Sequence, residues 1–403
     1  MKRMKWILCL MLFSFTMASY AQNKQSSEMR KLFKAVEKGR KAKKTQKEAL
    51  AAEKAAEAVY KAHPEETGMA HYCLGELYAQ AESPEVQDYP KAMDMLRQSL
   101  TELTENDLLP SGKKYLGYAN YNIGLLYACG NGTPQNYDSA YVYFKRAQEY
   151  EKALITGYGK LLEFGLGTQK DLPAALMAYA EGINAGADLY LTYYALKYAM
   201  ELQQKGELNP VVFEKYQQGV ANHEFGDGNQ GYKLIKEAVD SCYAPAYAEW
   251  GTGLYEGTYV EANKELACHY LKKAGDAGYY PGYHNYATYY FMWKVYGSIG
   301  GMLLGKQIQK ELIPYYEKAA EKGFAPSEYA MGNTYLNALG VKADPRKAYT
   351  WLAKSAHHGF AEAKVLKNQV SLGNNYKEEI DREVSQTPDI IAQTKEFIAK
   401  YKQ

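Results

Sequence analysis

The sequence predicts an all-α fold built from helix hairpins that stack into a solenoid. One segment, residues 327–363, has the pattern of two short amphipathic helices joined by a glycine-containing turn. Degraded copies of this segment recur through most of the chain, and the spacing between consecutive copies is nearly constant. Because such a hairpin cannot bury its own apolar face, its copies must stack on one another.

The hairpin follows from its residues. Apolar side chains recur at helical spacing around Gly332, and Gly340 follows, where a chain leaving a helix can adopt a positive φ. Asp344–Pro345 has the pattern of an N-cap followed by proline in the first helical turn. An apolar stripe then begins at Ala348, and Gly359 ends the second helix.

Seven copies are predicted from a reference position on each first helix. These positions are Gly75, Gly124, Leu161, Ala195, Thr252, Ala287 and Gly332, and the matching positions on the second helices are Ala92, Ala140, Ala175, Gly231, Ala267, Leu312 and Ala348. From each second helix to the next first helix the steps are 32, 21, 20, 21, 20 and 20 residues. A fixed step of this kind is what stacked hairpins require.

At this point the chain resembles the Sel1-like repeat family, which is related to tetratricopeptide repeats. The residues that carry the resemblance are Ala330–Gly332, Tyr335, Gly340–Val341, Asp344, Lys347–Ala348, Trp351, Lys354–Ala356, Gly359 and Ala363. The resemblance covers about residues 69–363. It implies a right-handed α/α superhelical solenoid whose relatives mostly act as scaffolds and adaptors for other proteins.

Three insertions interrupt the array, at about residues 101–117, 206–229 and 293–305. The second contains the stretch 210–225, PVVFEKYQQGVANHEF, which we expect to form an extra helix. The register is least certain around Ala195 and Ala287, where the glycine loop is lost. Insertions in solenoids collect on loops and can determine which partner is bound. Insertions without any function would give the same pattern.

The two ends of the chain differ from the array. Residues 1–21 have the basic start, apolar run and small-residue cleavage site of a signal peptide. Residues 22–66 are predicted to form a basic helical N-terminal cap, and residues 364–403 to form C-terminal capping helices at 376–386 and 388–402. We therefore expect export to the periplasm, with secretion as the alternative, and no transmembrane segment after cleavage.

Charge and cysteine content narrow the class of partner. The chain has 48 basic and 46 acidic residues, so loss of the three basic residues of the signal peptide leaves it nearly neutral, which argues against nucleic acid. The exported cysteines are Cys73, Cys129, Cys242 and Cys268. An oxidising compartment permits disulfides, but no pair of these cysteines repeats its spacing from one hairpin to the next. We therefore expect buried free thiols, and Cys242–Cys268 is the one disulfide to test.

No catalytic, cofactor or metal site is predicted. Residues 300–306 approximate a phosphate-binding loop, but Gln307 replaces the hydroxyl residue and no strand precedes the glycines. The adjacent pair His357 and His358 points to different helix faces. Around His223 the residues Glu224 and Asp227 lack the spacing of a calcium loop.

Tyrosine is the remaining signal, with 40 residues in the chain. Ten of them share the core face of the hairpins, but five surplus tyrosines are candidates to line the inner groove: Tyr115, Tyr118, Tyr193, Tyr283 and Tyr289. The leading hypothesis is an exported, non-enzymatic scaffold that binds a cell-envelope protein or peptide in its concave groove. The alternative is a glycan- or peptidoglycan-binding module, and a third possibility is an envelope hydrolase.

Overall fold

The computed structural model describes residues 25–41, 46–103, 112–297 and 301–402, and the regular structure in these ranges is helical throughout. The predicted all-α helical-repeat solenoid is confirmed. The predicted signal peptide, residues 1–21, lies outside the described residues. The chain divides after Asp171 into two compact units, called unit 1 and unit 2 below.

Unit 1 contains seven α-helices in its described part. They are α1 (Ser27–Lys41), α2 (Gln46–Ala62), α3 (Thr67–Gln80), α4 (Tyr89–Glu102), α5 (Gly112–Cys129), α6 (Tyr137–Tyr150) and α7 (Thr156–Phe164). The hairpins α1/α2, α3/α4 and α5/α6 each pack as a pair. Residues 104–111, within the first predicted insertion, lie outside the described residues.

Small residues set the closeness of the paired helices in unit 1. A Cβ atom added to Gly75 would lie 2.7 Å from Leu96 Cγ, and one added to Gly124 would lie 2.7 Å from Phe144 Cδ1. The second helix α4 begins at a side-chain cap, since Asp88 Oδ1 accepts a hydrogen bond from the Lys91 amide at 3.0 Å. The glycines predicted at these crossings are therefore part of the packing geometry.

Unit 2 contains the remaining helices. They are α8 (Leu172–Asn184), α9 (Tyr190–Lys205), α10 (Pro210–Phe225), α11 (Gly228–Asp240), α12 (Ala244–Glu256), α13 (Lys264–Asp276), α14 (Pro281–Phe291), α15 (Gly301–Ala320), α16 (Ala325–Leu336), α17 (Pro345–His357), α18 (Ala361–Asn368), α19 (Asn374–Ser385) and α20 (Ile390–Tyr401). Four hairpins follow one another along the chain: α10/α11, α12/α13, α14/α15 and α16/α17.

The structure corrects the predicted fourth repeat. Helix α10, expected to be an inserted extra helix, is the first helix of that hairpin, because Gly219 meets the second helix at the crossing. A Cβ atom on Gly219 would lie 2.9 Å from Ile235 Cγ1 and 3.0 Å from the Gly231 carbonyl oxygen. The reference position is therefore Gly219 and not Ala195.

The register of the next repeat shifts by one residue. Gly251, and not Thr252, lies at the crossing of α12 and α13, where an added Cβ would be 3.0 Å from the Ala267 carbonyl oxygen. Gly332 stands in the same relation to Ala348, at 3.2 Å. The sequence prediction chose Thr252 because it lies three residues before Tyr255, and aromatic spacing is a weaker guide than close backbone approach.

Helix α9 packs against α8 and lies along the turns between the hairpins of unit 2. Three of its tyrosines, spaced four residues apart, donate hydrogen bonds to successive turns. Tyr190, Tyr194 and Tyr198 donate to the carbonyl oxygens of His358, Gly323 and Ala277 at 3.4, 2.9 and 3.1 Å. Side chains four apart share one face of a helix, so one face of α9 contacts three hairpins.

An aromatic residue lies one or two positions before each of four helices that follow turns near α9. These residues are Tyr243, Tyr279, Phe324 and Phe360, before α12, α14, α16 and α18. Their ring centroids lie 5.3 to 6.2 Å from those of Tyr190, Tyr194 or Tyr198. The turns therefore offer α9 an apolar packing surface, and their carbonyl oxygens accept hydrogen bonds from the hydroxyl groups of Tyr190, Tyr194 and Tyr198.

The C-terminal helices lie close to where they were predicted, at 374–385 and 390–401. Helix α20 returns to pack against α8 and also contacts α9. The Tyr193 and Thr394 hydroxyl oxygens are 2.9 Å apart, and Tyr401 donates to Gln203 Oε1 at 2.8 Å. Among the described residues, no helix combines the length and apolar character needed to cross a bilayer.

Candidate functional site

The five predicted tyrosines fall in several different environments. Tyr115, Tyr118, Tyr193 and Tyr283 are buried, with 2%, 8%, 0% and 8% of their surface exposed. Tyr115 and Tyr118 pack in unit 1 around Tyr72, with ring centroids 5.3 and 6.1 Å from it. Burial raises the pKa of both phenols, so each hydroxyl stays protonated.

Within unit 2 the other three tyrosines are also engaged with neighbours. Tyr193 contacts Thr394 of α20, and Tyr283 donates a hydrogen bond to Asp276 Oδ1 at 2.9 Å. Tyr289 is half-buried, with its ring 4.4 Å from that of Tyr255 on α12. The role of the five tyrosines in ligand binding stays a prediction; their observed contacts are packing contacts.

The three histidines discussed above have different partners. His358 Nδ1 is 2.8 Å from Glu328 Oε2, whereas His357 Nε2 is 2.8 Å from the Thr387 carbonyl oxygen. His223 Nδ1 is 3.2 Å from Glu249 Oε1. In the described part of the chain, no three histidine, cysteine or acidic side chains are grouped as metal ligands would be.

A pocket in unit 2 opens between α13 and the C-terminal half of α14. We call it the aromatic–lysine pocket; its volume is about 320 Å³ and it is lined by Glu265, Cys268, His269, Lys272, Tyr286, Tyr290, Trp293 and Lys294. The α13 residues lie on one helical face, at spacings of three, four and seven. Tyr286, Tyr290 and Trp293 follow the same rule on the opposite wall.

A π-helical turn, Met292–Tyr296, continues α14 at this pocket. Its wider backbone ring is seen in the hydrogen bond from the Gly297 amide to the Met292 carbonyl oxygen, 3.1 Å. Turns of this kind are uncommon and occur often at functional sites. The described part of the third predicted insertion, 293–305, therefore belongs to this turn and to the start of α15. Residues 298–300 lie outside the described residues.

The aromatic wall of the pocket is covered in part by an ammonium group. Tyr290 and Trp293 meet edge to face, with ring centroids 6.1 Å apart and planes at 83°. Lys294 Nζ lies 3.8 Å from the Trp293 centroid and 5.7 Å from the Tyr290 centroid. At 3.8 Å the ammonium contacts the ring face directly, a favourable cation–π geometry.

The electrostatics favour binding over covalent chemistry. Burial raises the pKa of the Cys268 thiol to about 11 against the opposing effect of Lys294, so the thiol is protonated at neutral pH. The hydrogen bond to Asp276 raises the pKa of Lys272. Burial raises the pKa of Tyr286 to about 12. The pocket thus presents ammonium groups and neutral hydroxyls, without an activated thiolate.

Sequence reasoning assigned Tyr290 to a core position and did not single out Tyr286, Trp293 or Lys294 as ligand contacts. The available signal was the loss of the glycine loop in the sixth repeat, together with aromatic residues at spacings of four and seven. What the sequence did not contain was the π-helical turn, which places Trp293 and Lys294 beside α13.

Stacked helix hairpins of this kind define a helical-repeat protein. The family model described as Sel1 repeat matches residues 117–147, 155–180, 244–279, 315–324 and 325–360. These matches support a Sel1-like helical repeat protein. The matched segments coincide with α5/α6, α12/α13 and α16/α17 among others.

Two curated proteins share part of this sequence. A 72-residue stretch is 39% identical to chitin synthase regulatory factor 3 of Schizosaccharomyces pombe and covers 18% of this chain. A 157-residue stretch is 25% identical to chitin synthase regulator SKT5 of Malassezia restricta and covers 39% of this chain. The matches span only 7% and 10% of those two proteins.

Two solved structures are similar to this chain at low identity. A Sel1 repeat protein from Oxalobacter formigenes is 18% identical, with 77% of this chain and 92% of that chain covered and a TM-score of 0.33. A protective antigen of uropathogenic Escherichia coli with an SLR fold is 16% identical, with 97% and 94% covered and a TM-score of 0.35. At these scores the likeness carries no further conclusion.

Proposed function

We propose that the protein is an exported, non-enzymatic scaffold that binds a protein or peptide partner of the cell envelope. The observation that carries the proposal is the aromatic–lysine pocket on a stack of Sel1-like hairpins, since it offers rings and ammonium groups but no activated nucleophile. Repeat scaffolds bind through extended surfaces of this kind.

The binding surface includes the concave groove formed by the first helices together with the pocket. Tyr289, half-buried on α14 beside Tyr255 of α12, is the predicted tyrosine with most ring surface left for a partner. The two curated relatives are named as regulators of chitin synthase. These names support a regulatory protein interaction made by repeats of this type. The matched segments are short parts of the two relatives, so chitin synthase is not proposed as the partner of this chain.

Export rests on residues 1–21, whose composition fits a signal peptide. The experiment expresses the full chain in a bacterial host and measures the N-terminus and mass of the protein recovered from the envelope fraction. Cleavage before Gln22 and recovery outside the cytoplasm are expected. An intact Met1 on protein that stays in the cytoplasm contradicts export.

Partner binding is tested by chemical crosslinking of the exported protein in its envelope, followed by mass spectrometry. A protein crosslinked reproducibly to the hairpins of unit 2 is expected. Recovery of uncrosslinked protein alone, across crosslinkers of different length, contradicts the scaffold proposal. A hydrolase is favoured only if highly purified protein retains an activity that one polar substitution abolishes.

A further inference from the structure

Four turns between consecutive helices of unit 2 form the surface on which α9 lies. We call residues 241–243, 277–279, 322–324 and 358–360 the turn row. In each turn the central residue has a positive φ and the third residue is aromatic; the central residues are Cys242, Gly278, Gly323 and Gly359. The four turns therefore repeat one local structure, and the row presents equivalent groups at regular intervals.

Helix α9 meets the turn row with the tips of its side chains. Tyr190, Tyr194 and Tyr198 donate to carbonyl oxygens of the row, and Tyr279 of the row donates in return to the Leu191 carbonyl oxygen at 3.0 Å. The acceptor carbonyls and the aromatic rings belong to the turns, so they fit any helix that carries tyrosines four residues apart. Recognition of a helix through anchors on successive turns of one face is a common mode of peptide binding.

The two connections of α9 to the rest of unit 2 each contain a glycine in open space. Gly186, before α9, has a φ of 93°, and Gly206, after it, has a φ of 71°. Among the described residues, a Cβ added to either would meet no atom within 4 Å beyond its chain neighbours, whereas one added to Gly340 would lie 2.7 Å from the Lys310 amide nitrogen. Backbone rotation at Gly186 and Gly206 is therefore unhindered by packing, as a pair of hinges requires.

The hairpins beneath the turn row are closed by their own contacts. In α12/α13 and α16/α17 the paired helices cross at Gly251 and Gly332. Docking of α9 also removes an ammonium group from water, since Lys197 Nζ lies 5.9 and 5.6 Å from the ring centroids of Tyr194 and Phe397, and burial lowers the pKa of Lys197. Burial of this charge offsets part of the gain from the tyrosine contacts.

We propose that α9 is an intramolecular ligand of the turn row and blocks a surface that binds a helix of a partner protein. The partner helix carries tyrosines four residues apart, and it enters the turn row when α9 swings out at Gly186 and Gly206. The inference rests on the proposed scaffold function and adds a second binding surface, to which α9 controls access.

Opening is tested by hydrogen–deuterium exchange of the purified chain, read by mass spectrometry. The amides of α9 are expected to exchange as a group at least tenfold faster than those of α12 and α16, because α9 leaves the turn row while the hairpins stay folded. Exchange of all three helices at one rate overturns the proposal.

Recognition is tested by fluorescence anisotropy with a labelled peptide of residues 189–205. A control peptide has the same composition, reordered so that no two tyrosines lie three or four residues apart. Tyr194→Ala weakens the hold of α9, so this variant is expected to bind the first peptide at least tenfold more tightly than the unmodified chain does, because a larger fraction of the turn row is open. The matched variant is Tyr296→Ala, at an exposed tyrosine outside α9, which should bind as the unmodified chain does. Equal binding of the two peptides, or no gain in Tyr194→Ala, overturns the proposal.

The scaffold proposal and the α9 proposal fail in different experiments. If envelope crosslinking captures a partner but α9 exchanges together with the hairpins, the α9 proposal fails while the scaffold proposal stands. If α9 opens and the peptide binds, yet neither the unmodified chain nor Tyr194→Ala captures a protein in the envelope, the scaffold proposal fails.

Discussion

His284 on α14 makes the stability of unit 2 depend on pH. The imidazole packs edge to face on Tyr316 and Phe324, with centroids 5.4 and 5.3 Å away, and its Nδ1 lies 2.9 Å from Ser327 Oγ. Burial in this aromatic surrounding lowers the pKa of His284 to about 4. The folded protein therefore holds the ring neutral through most of the acidic range.

The sign and size of the effect follow from the two pKa values. A histidine in the unfolded chain has a pKa of about 6.5, so between pH 6.5 and 4 the unfolded state binds more protons than the folded state. The stability contributed by the neutral ring is fully present above pH 6.5 and is lost as the pH falls toward 4. At pH 4 the loss is about 3 kcal/mol.

The assay is urea denaturation of the full chain at pH 7 and pH 4, compared with His284→Gln, which cannot titrate. Carboxylates contribute equally to both proteins, so the difference between them isolates His284. The unmodified chain is expected to lose about 3 kcal/mol more than the variant. The exposed His269→Gln is the control and should behave as the unmodified chain. Equal losses in the unmodified chain and His284→Gln would refute the reasoning.

Three further predictions concern packing, the α9 contacts and the thiols. Gly219→Val is expected to lower the free energy of unfolding by about 1–3 kcal/mol, measured by urea, because its Cβ would press on Ile235 and the α11 backbone. Tyr194→Phe removes the hydrogen bond to the turn at Gly323 and should cost about 1–2 kcal/mol in the same assay. Iodoacetamide at pH 8 should label exposed Cys242 quickly and buried Cys268 only after denaturation, as read by peptide mass spectrometry.

The two substitutions have matched controls. Gln218→Ala changes an exposed neighbour of Gly219, and Tyr296→Phe changes an exposed tyrosine, so both are expected to lie within about 0.5 kcal/mol of the unmodified chain. Gly219→Val as stable as Gln218→Ala would contradict the assignment of α10 to the hairpin. Equal labelling of the two cysteines in the native protein would contradict the burial of Cys268.

The hairpins could be predicted from sequence because their signals are local. Gly332, Gly340 and Asp344 fix a crossing, a turn and a cap within a few residues, and the 20-residue step repeats along the chain. The observed cap at Asp344, which accepts from the Lys347 amide at 3.0 Å, agrees with the motif. Local motifs of this kind carry their own geometry.

The fourth repeat could not be placed from sequence because both α9 and α10 have the pattern of its first helix. Helix α9 carries Ala195 and Tyr198 at the spacing of a first helix, yet α10 pairs with α11. The deciding contacts are non-local: Tyr194 donates to Gly323, 129 residues away, and Tyr193 meets Thr394, 201 residues away. Sequence periodicity contains no record of such distant pairings.

The candidate site was missed for a similar reason. Tyr286, Tyr290 and Trp293 have the spacing of core residues, and spacing alone does not tell a packed ring from one that lines a pocket. The π-helical turn after α14 separates the two cases by setting Trp293 and Lys294 against α13. The opposite error occurred for the predicted groove tyrosines: Tyr115 and Tyr193 were expected to line a groove but lie in the core.

The central proposal, that the protein is a scaffold for a protein partner, is tested most directly by site-specific photocrosslinking. Trp293→p-benzoylphenylalanine is introduced into the full chain, with Trp351→p-benzoylphenylalanine as the control outside the pocket. The account predicts a protein crosslinked reproducibly from position 293 and absent from position 351. Crosslinks of equal yield from both positions, or no crosslinked protein from position 293, would contradict it.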